Sequence, residues 1–149
     1  LSTNTTFAFF LWLISYENII LWGRSLGGGI ASKLASQYPL GGLIIESSYS
    51  HIEYLIPNKL MFNLLPHKLF FKYIDLNNIK NLKSVYKPIL IIHSKEDDLI
   101  PYTHAEEILT HAPENSQLIT LTGSHHKNQY ENYDLYINAL KGYISSLGQ

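Results

Sequence analysis

The sequence predicts an α/β fold, a mostly parallel sheet with helices on both faces. Two observations carry this reading. Short apolar runs alternate with helix-period segments along the chain. Such runs between helices belong to parallel strands covered on both sides. In addition, one run, Ile19-Ile20-Leu21-Trp22, passes straight into a helical pattern through the glycine-flanked turn Gly23-Arg24-Ser25-Leu26-Gly27.

The elements follow in order. Ile19–Trp22 reads as a strand and Gly28–Ser36 as a helix ended near Tyr38-Pro39. Leu43–Glu46 is the next strand. Pro88–His93 is a strand opened by proline, and Thr103–Thr110 a helix ended by Ala112-Pro113. Gln117–Leu121 is a strand. Asn132–Ser146 is the closing helix, with Tyr133, Tyr136, Ile137, Leu140 and Ile144 expected on its buried face. Ahead of these lies Phe7–Ile14, apolar over eight residues. Spanning a bilayer takes roughly 20 residues, so it reads as a buried helix capped by Ser2, Thr3 or Asn4. Residues 51–87 carry Pro57, Pro66 and broken helical periodicity, and read either as a lid-like insertion in a single domain over 1–149 or as an ordinary crossover helix with a meandering loop.

Composition narrows the function. The chain has 149 residues, enough for one modest core, and a net charge of -1. No basic stripe suggests a nucleic-acid partner. It has no cysteine, which excludes disulfides, a thiol nucleophile and thiolate metal sites, and fits a reducing, cytoplasmic setting. His104 and Glu107 stand three residues apart on a predicted helix, but no H-E-x-x-H accompanies them, and no metal site is expected. Gly27-Gly28-Gly29 forms no G-x-G-x-x-G, so no dinucleotide cofactor is expected either.

The G-x-S-x-G turn carries chemistry because of its setting. A serine hydroxyl is a poor nucleophile until a base can reach it. A sharp strand-to-helix turn lifts Ser25 out of the sheet, and the small flanking residues Gly23 and Gly27 are expected to allow the turn. The backbone N–H of Leu26 then points to where an oxyanion would form, beside the helix N-terminus. A base and an orienting acid should follow downstream, each just past a strand. Ser94-Lys95-Glu96-Asp97-Asp98 follows one strand, and Thr122-Gly123-Ser124-His125-His126 follows the last. Both carboxylates and both imidazoles remain open at this level. Arg24 and Glu46 are expected to be structural, Arg24 through pairing with a nearby acid, and Tyr49 is a candidate for the pocket lining.

The chain resembles the α/β-hydrolase superfamily in these segments. It is most similar to the branch with a GRSLGG elbow, which includes bud-emergence-type hydrolases and protein depalmitoylases. The matching pieces are residues 19–29, 43–50, 88–101 and 123–126. The family pattern of an Asp three residues before Ile-Pro implies Asp97, and its G-x-H pattern implies His125. The resemblance thus implies an ester or thioester hydrolase with Ser25, Asp97 and His125 as catalytic residues and no cofactor. Turnover should require the neutral imidazole and fall in acid. Family members carry further strands before the elbow strand and a second oxyanion donor, often beside an H-G pair. This chain is expected to lack both and to behave as the C-terminal part of a longer hydrolase.

Two other readings stand beside this one. The same triad could serve a peptidase or amidase. Alternatively, the chain is an inactive fragment or interaction module that self-associates through an exposed sheet edge. The expected partner is a small-molecule or acylated substrate; contact with a membrane surface is compatible with the sequence but not demanded by it.

Overall fold

A computed structural model describes residues 15–55 and 76–148. Its sheet has four parallel strands in the spatial order of the chain. These are β1 (Ile20–Arg24), β2 (Gly42–Glu46), β3 (Ile89–Ser94) and β4 (Gln117–Leu121). Leu21 pairs with Leu43, Ile44 with Leu90 and Ile91 with Leu118. The inner strands β2 and β3 are buried at every position, which accounts for their apolar runs Leu43-Ile44-Ile45 and Ile89-Leu90-Ile91-Ile92; each ends in buried polar residues, Glu46 in β2 and His93 and Ser94 in β3.

Among the described residues five α-helices accompany the strands: α1 (Leu26–Ala35), α2 (Asn78–Leu82), α3 (Thr103–His111), α4 (Asn128–Glu131) and α5 (Tyr133–Leu147). Strand side chains alternate between two faces. On one face Leu43, Ile45, Ile89 and Ile91 meet Ala31 and Ala35 of α1, Ile79 and Leu82 of α2, and Ala105 and Ile108 of α3. On the other, Ile44, Leu90, Ile92 and Leu121 meet Tyr136 and Tyr143 of α5. The expected helices on both faces are therefore present. Sheet register and these two layers put the ends of β1, β2, β3 and β4, and the loops that follow them, along one edge.

Element boundaries shift by small amounts with physical causes. β1 runs on through Gly23 and Arg24, because both still pair with β2. α1 begins at Leu26, immediately after Ser25, rather than at Gly28. The closing helix α5 lies one residue from its expected bounds at each end, and a short turn not expected from the sequence, α4, precedes it. On α5 the buried face is Tyr136 and Tyr143, flanked by Ile137, Leu140 and Leu147. Two residues expected there are exposed: Tyr133 at 63%, in the first turn, and Ile144 at 51%, rotated off the face that Tyr143 occupies.

The expected Phe7–Ile14 helix lies outside the described residues, as do 56–75 of the expected insertion. The insertion's described end packs inward. Leu76, Ile79 and Leu82 are buried, and the Asn77 side chain caps α2 by accepting from the Lys80 N–H at 3.1 Å. Among the described residues no helix is long and apolar enough to cross a membrane.

Candidate functional site

Ser25 sits between the last residue of β1 and the first of α1, with φ 53° and ψ -121°. A non-glycine residue in this region is strained and persists only where its surroundings hold it. They do so at both ends of the residue. The Ser25 N–H donates to the Glu46 carbonyl at 2.9 Å, and the Ser25 carbonyl accepts from Gly28 N–H at 3.1 Å and from Ser48 Oγ at 2.7 Å.

The turn is tight enough to dictate its glycines, though not the pair the motif suggests. A Cβ on Gly23 would lie 2.2 Å from the Gly27 carbonyl oxygen. A Cβ on Gly27 would meet nothing within 4 Å among the described residues, so its smallness is not what the turn requires. The demand falls on the next two glycines instead. A Cβ on Gly28 would lie 2.3 Å from Ser48 Oγ, and one on Gly29 2.3 Å from the Tyr49 hydroxyl. The G-x-S-x-G pattern stops short of both, and the longer GRSLGG elbow reaches Gly28 alone.

Asp97 and His125 come together from two loops. Asp97 Oδ2 accepts from His125 Nδ1 at 2.8 Å, and both side chains are buried. Asp97 Oδ1 accepts from the backbone N–H groups of Leu99 and Ile100, at 2.9 and 2.7 Å. Burial alone would raise this carboxyl; the His125 hydrogen bond and the two backbone donors outweigh it and hold it below the usual aspartate range. Asp98, one residue on, is exposed and takes the backbone N–H of His125 at 2.9 Å. His126 is exposed, its ring edge-on to that of His125. The two adjacent acids and the two adjacent imidazoles thus have different surroundings.

The histidine loop is shaped by its own glycine. Gly123 has φ 85°, and a Cβ there would lie 2.1 Å from Glu131 Oε2. Its N–H donates to Glu96 Oε2 at 2.8 Å, and its carbonyl accepts from Ser94 Oγ at 2.5 Å. The loop is also tied to the elbow, since Arg24 Nη2 donates to the His125 carbonyl. Among the described residues, the Ser25 hydroxyl and the His125 imidazole are not hydrogen-bonded to each other. Such bonds are commonly loose without substrate.

His93, at the end of β3, is a partner that sequence reasoning missed. Its Nε2 lies 2.8 Å from the Ile100 carbonyl and 3.5 Å from Asp97 Oδ2. Both are acceptors, so Nε2 carries the proton. Burial lowers this imidazole below the usual histidine range, against the raising effect of the Ile100 carbonyl and Asp97. The apolar strand around His93 gave no hint of a polar role.

The loop after β2 joins everything else. Glu46, Ser47, Ser48, Tyr49 and Ser50 are all fully buried. Glu46 accepts from Trp22 Nε1 at 2.9 Å, Arg24 Nε at 3.0 Å, Tyr136 Oη at 2.8 Å and Gln129 Nε2. Arg24 thus pairs with an acid as expected, and Glu46 is a structural hub. Ser47 Oγ accepts from Asn128 Nδ2 at 3.0 Å. Ser50 Oγ meets His104 Nδ1 at 2.7 Å. Tyr49 packs with Ile52, Leu76 and Ile100 beneath the site, its phenol raised by burial and by Glu53. A cavity of about 170 Å³ lined by Tyr38, Leu40, Val85 and Tyr86 lies at the opposite end of the strands and touches none of these residues.

Comparison with known proteins agrees with the fold. Residues 10–141 match the model of the prolyl oligopeptidase family. The chain is 29% identical to mouse alpha/beta hydrolase domain-containing protein 17C over 136 residues, which is 89% of this chain and 39% of the relative. It is 26% identical to the human protein 17B of the same description over 130 residues, 87% of this chain and 42% of the relative. The chain therefore spans about two fifths of the curated relatives it matches. Among solved structures, an alpha/beta hydrolase enzyme from sediments of the Mar Chica lagoon, Morocco, superposes with a TM-score of 0.70 at 24% identity, covering 97% of this chain and 69% of that one. A putative lipase of Acinetobacter baumannii gives 0.68 at 22% identity, covering 97% and 66%. These likenesses show the α/β-hydrolase fold.

Proposed function

The chain belongs to the prolyl oligopeptidase family, and on that premise we propose that it is a serine hydrolase of esters or thioesters. One observation carries the reading. A buried Asp97–His125 pair, 2.8 Å apart, shares the sheet edge with a strained Ser25 whose neighbour Arg24 holds the His125 carbonyl.

The chemistry follows from that geometry. Asp97 fixes the proton on His125 Nδ1, which leaves Nε2 as an acceptor. Ser25 Oγ attacks the substrate carbonyl and gives its proton to Nε2. The tetrahedral oxyanion takes the Leu26 N–H. His125 returns the proton to the leaving alcohol or thiol, and the acyl group stays on Ser25. Water then repeats the sequence, losing a proton to Nε2, and frees the acid. Asp97 stays ionised throughout and stabilises the imidazolium. This cycle calls for no metal or organic cofactor.

The GRSLGG elbow supports a depalmitoylase-like branch and hence an acyl thioester, in a cytoplasmic setting. The family name favours a second reading, a peptidase or amidase with the same residues. A third, an interaction module, rests on β1, which ends the described sheet and leaves Trp22 48% exposed.

Fluorophosphonate labelling of the parent and of Ser25→Ala tests the proposal. Labelling of the parent alone supports it, and rates on p-nitrophenyl esters, acyl thioesters and aminoacyl anilides then separate the first two readings. A folded parent that fails to label would favour the module.

A further inference from the structure

The Ser25–Leu26 peptide is held from behind by a side chain that takes no part in proton transfer. Ser48 Oγ lies 2.7 Å from the Ser25 carbonyl oxygen, fully buried in the loop after β2. Its own oxygen accepts from Asn78 Nδ2 at 3.1 Å, and that same amide group reaches the Tyr49 carbonyl at 2.6 Å. With Asn78 donating to Ser48 Oγ, the Ser48 proton is the one left to point at Ser25. The order is fixed: Asn78 N–H to Ser48, then Ser48 O–H to the Ser25 carbonyl.

A peptide group is planar, and in its trans form the C=O and the following N–H point in opposite directions. Whatever anchors the Ser25 carbonyl therefore aims the Leu26 N–H the other way. We propose that Ser48, oriented by Asn78, is a positioning residue that aims the Leu26 N–H at the developing oxyanion. This rests on the serine-hydrolase reading above and adds to it a determinant of rate that touches neither substrate nor the reacting atoms.

Neighbouring features fit this role. Ser25 has a strained backbone, and without Ser48 its carbonyl would be held by the Gly28 N–H alone, at 3.1 Å, which leaves the peptide freer to tilt. Gly28 leaves room for Ser48, since a Cβ there would lie 2.3 Å from Ser48 Oγ. Oxyanion donors act only when preorganised, and removing one outright typically costs about 10²–10³ in rate. A donor that is present but loosely aimed should cost less, about 10-fold.

The test compares the parent with Ser48→Ala and Ser48→Cys. Cysteine keeps the shape of serine with a much weaker donor, and decides the matter if the alanine variant fails to fold. Active sites are counted by fluorophosphonate labelling, and kcat and KM for p-nitrophenyl butyrate are measured per labelled site. The expected result is a kcat lower by about 10-fold in both variants with KM unchanged. A residue that only packs would lower stability and leave kcat per labelled site at the parent value. That outcome, in a parent that labels at Ser25, overturns the role of Ser48 and leaves the hydrolase reading intact. A folded parent that does not label overturns the hydrolase reading, and this role with it.

Discussion

Gly23 and Gly27 stand so close that a Cβ on the first would lie 2.2 Å from the carbonyl oxygen of the second, while a Cβ on the second would meet nothing within 4 Å among the described residues. The two glycines of the G-x-S-x-G turn are therefore unequal. Gly23→Ala forces backbone apart at the start of α1 and should cost about 3 kcal/mol. Gly27→Ala sits in the first turn of a helix and should be neutral or stabilising by about 0.5 kcal/mol. Urea unfolding of the two variants checks this; equal losses would contradict it.

Asp97 and Asp98 are adjacent and bond different parts of His125, the ring and the backbone N–H, and the proposed triad gives the acid's role to Asp97. Asp97→Asn keeps the shape and removes the charge from the imidazole, so fluorophosphonate labelling should slow by about 10³-fold or more. Asp98→Asn keeps an oxygen that can accept the backbone N–H of His125, and should label within a few-fold of the parent. Reversed effects would assign the acid to Asp98.

Acid should weaken the fold in two steps. Burial lowers His93 and likewise His104, so each binds its proton more readily when unfolded. Their contribution is fully present above the ordinary histidine value of about 6.5 and is lost as pH falls through the folded values. Asp97 is also lowered when folded, burial being outweighed by its donors, so its contribution is present above about 3.9 and lost further down. The urea midpoint should be level from pH 8 to 7 and fall below about 6.5. His93→Gln should remove part of that first fall. A parent midpoint unchanged from pH 7 to 5 would rule this out.

Glu46 gathers donors from Trp22, Arg24, Gln129 and Tyr136 on a fully buried carboxylate. Glu46→Gln replaces one acceptor oxygen with a donor and leaves Arg24 without its counter-charge. Removing one partner of a buried pair costs about 3–5 kcal/mol. Arg24 is about a third exposed, so about 2 kcal/mol is expected here. Urea unfolding gives the loss. Because Arg24 also holds the His125 carbonyl, labelling at Ser25 should slow as well.

What was legible in the sequence, and what was not, divides by range. β2 and β3 are apolar because every position is buried, so their runs announce themselves. Asp97 and His125 stand just past strands, and loops after parallel strands share one edge of the sheet. Choosing between Asp97 and Asp98 took family likeness, because two neighbouring acids look alike until the loop's own hydrogen bonds are seen. The roles of Gly28, Gly29, Ser48, Asn78 and His93 were hidden for a different reason. Their roles depend on contacts between segments such as 28 with 48, or 93 with 97 and 100, which no local pattern encodes. On α5, helical period alone could not tell Ile144 from Tyr143, because the helix turns its Tyr143 hydroxyl onto the Leu43 N–H.

The stretch Glu46–Ser50, the last residue of β2 and the loop after it, reads as a largely hydrophilic connection, yet each side chain faces a different part of the molecule: Trp22, Arg24, Gln129 and Tyr136; Asn128; Ser25 and Asn78; Gly29; and His104. In the language of information, these five letters carry constraint out of proportion to their number, because each side chain answers to its own addressee, and Ser25 and Asn78 are each addressed twice, once more through the backbone. A composition-based redesign would treat the stretch as free text. A saturation scan would find it hard to rewrite, and would find the apolar run Ile89–Ile92 beside it, where one aliphatic can stand in for another, easier.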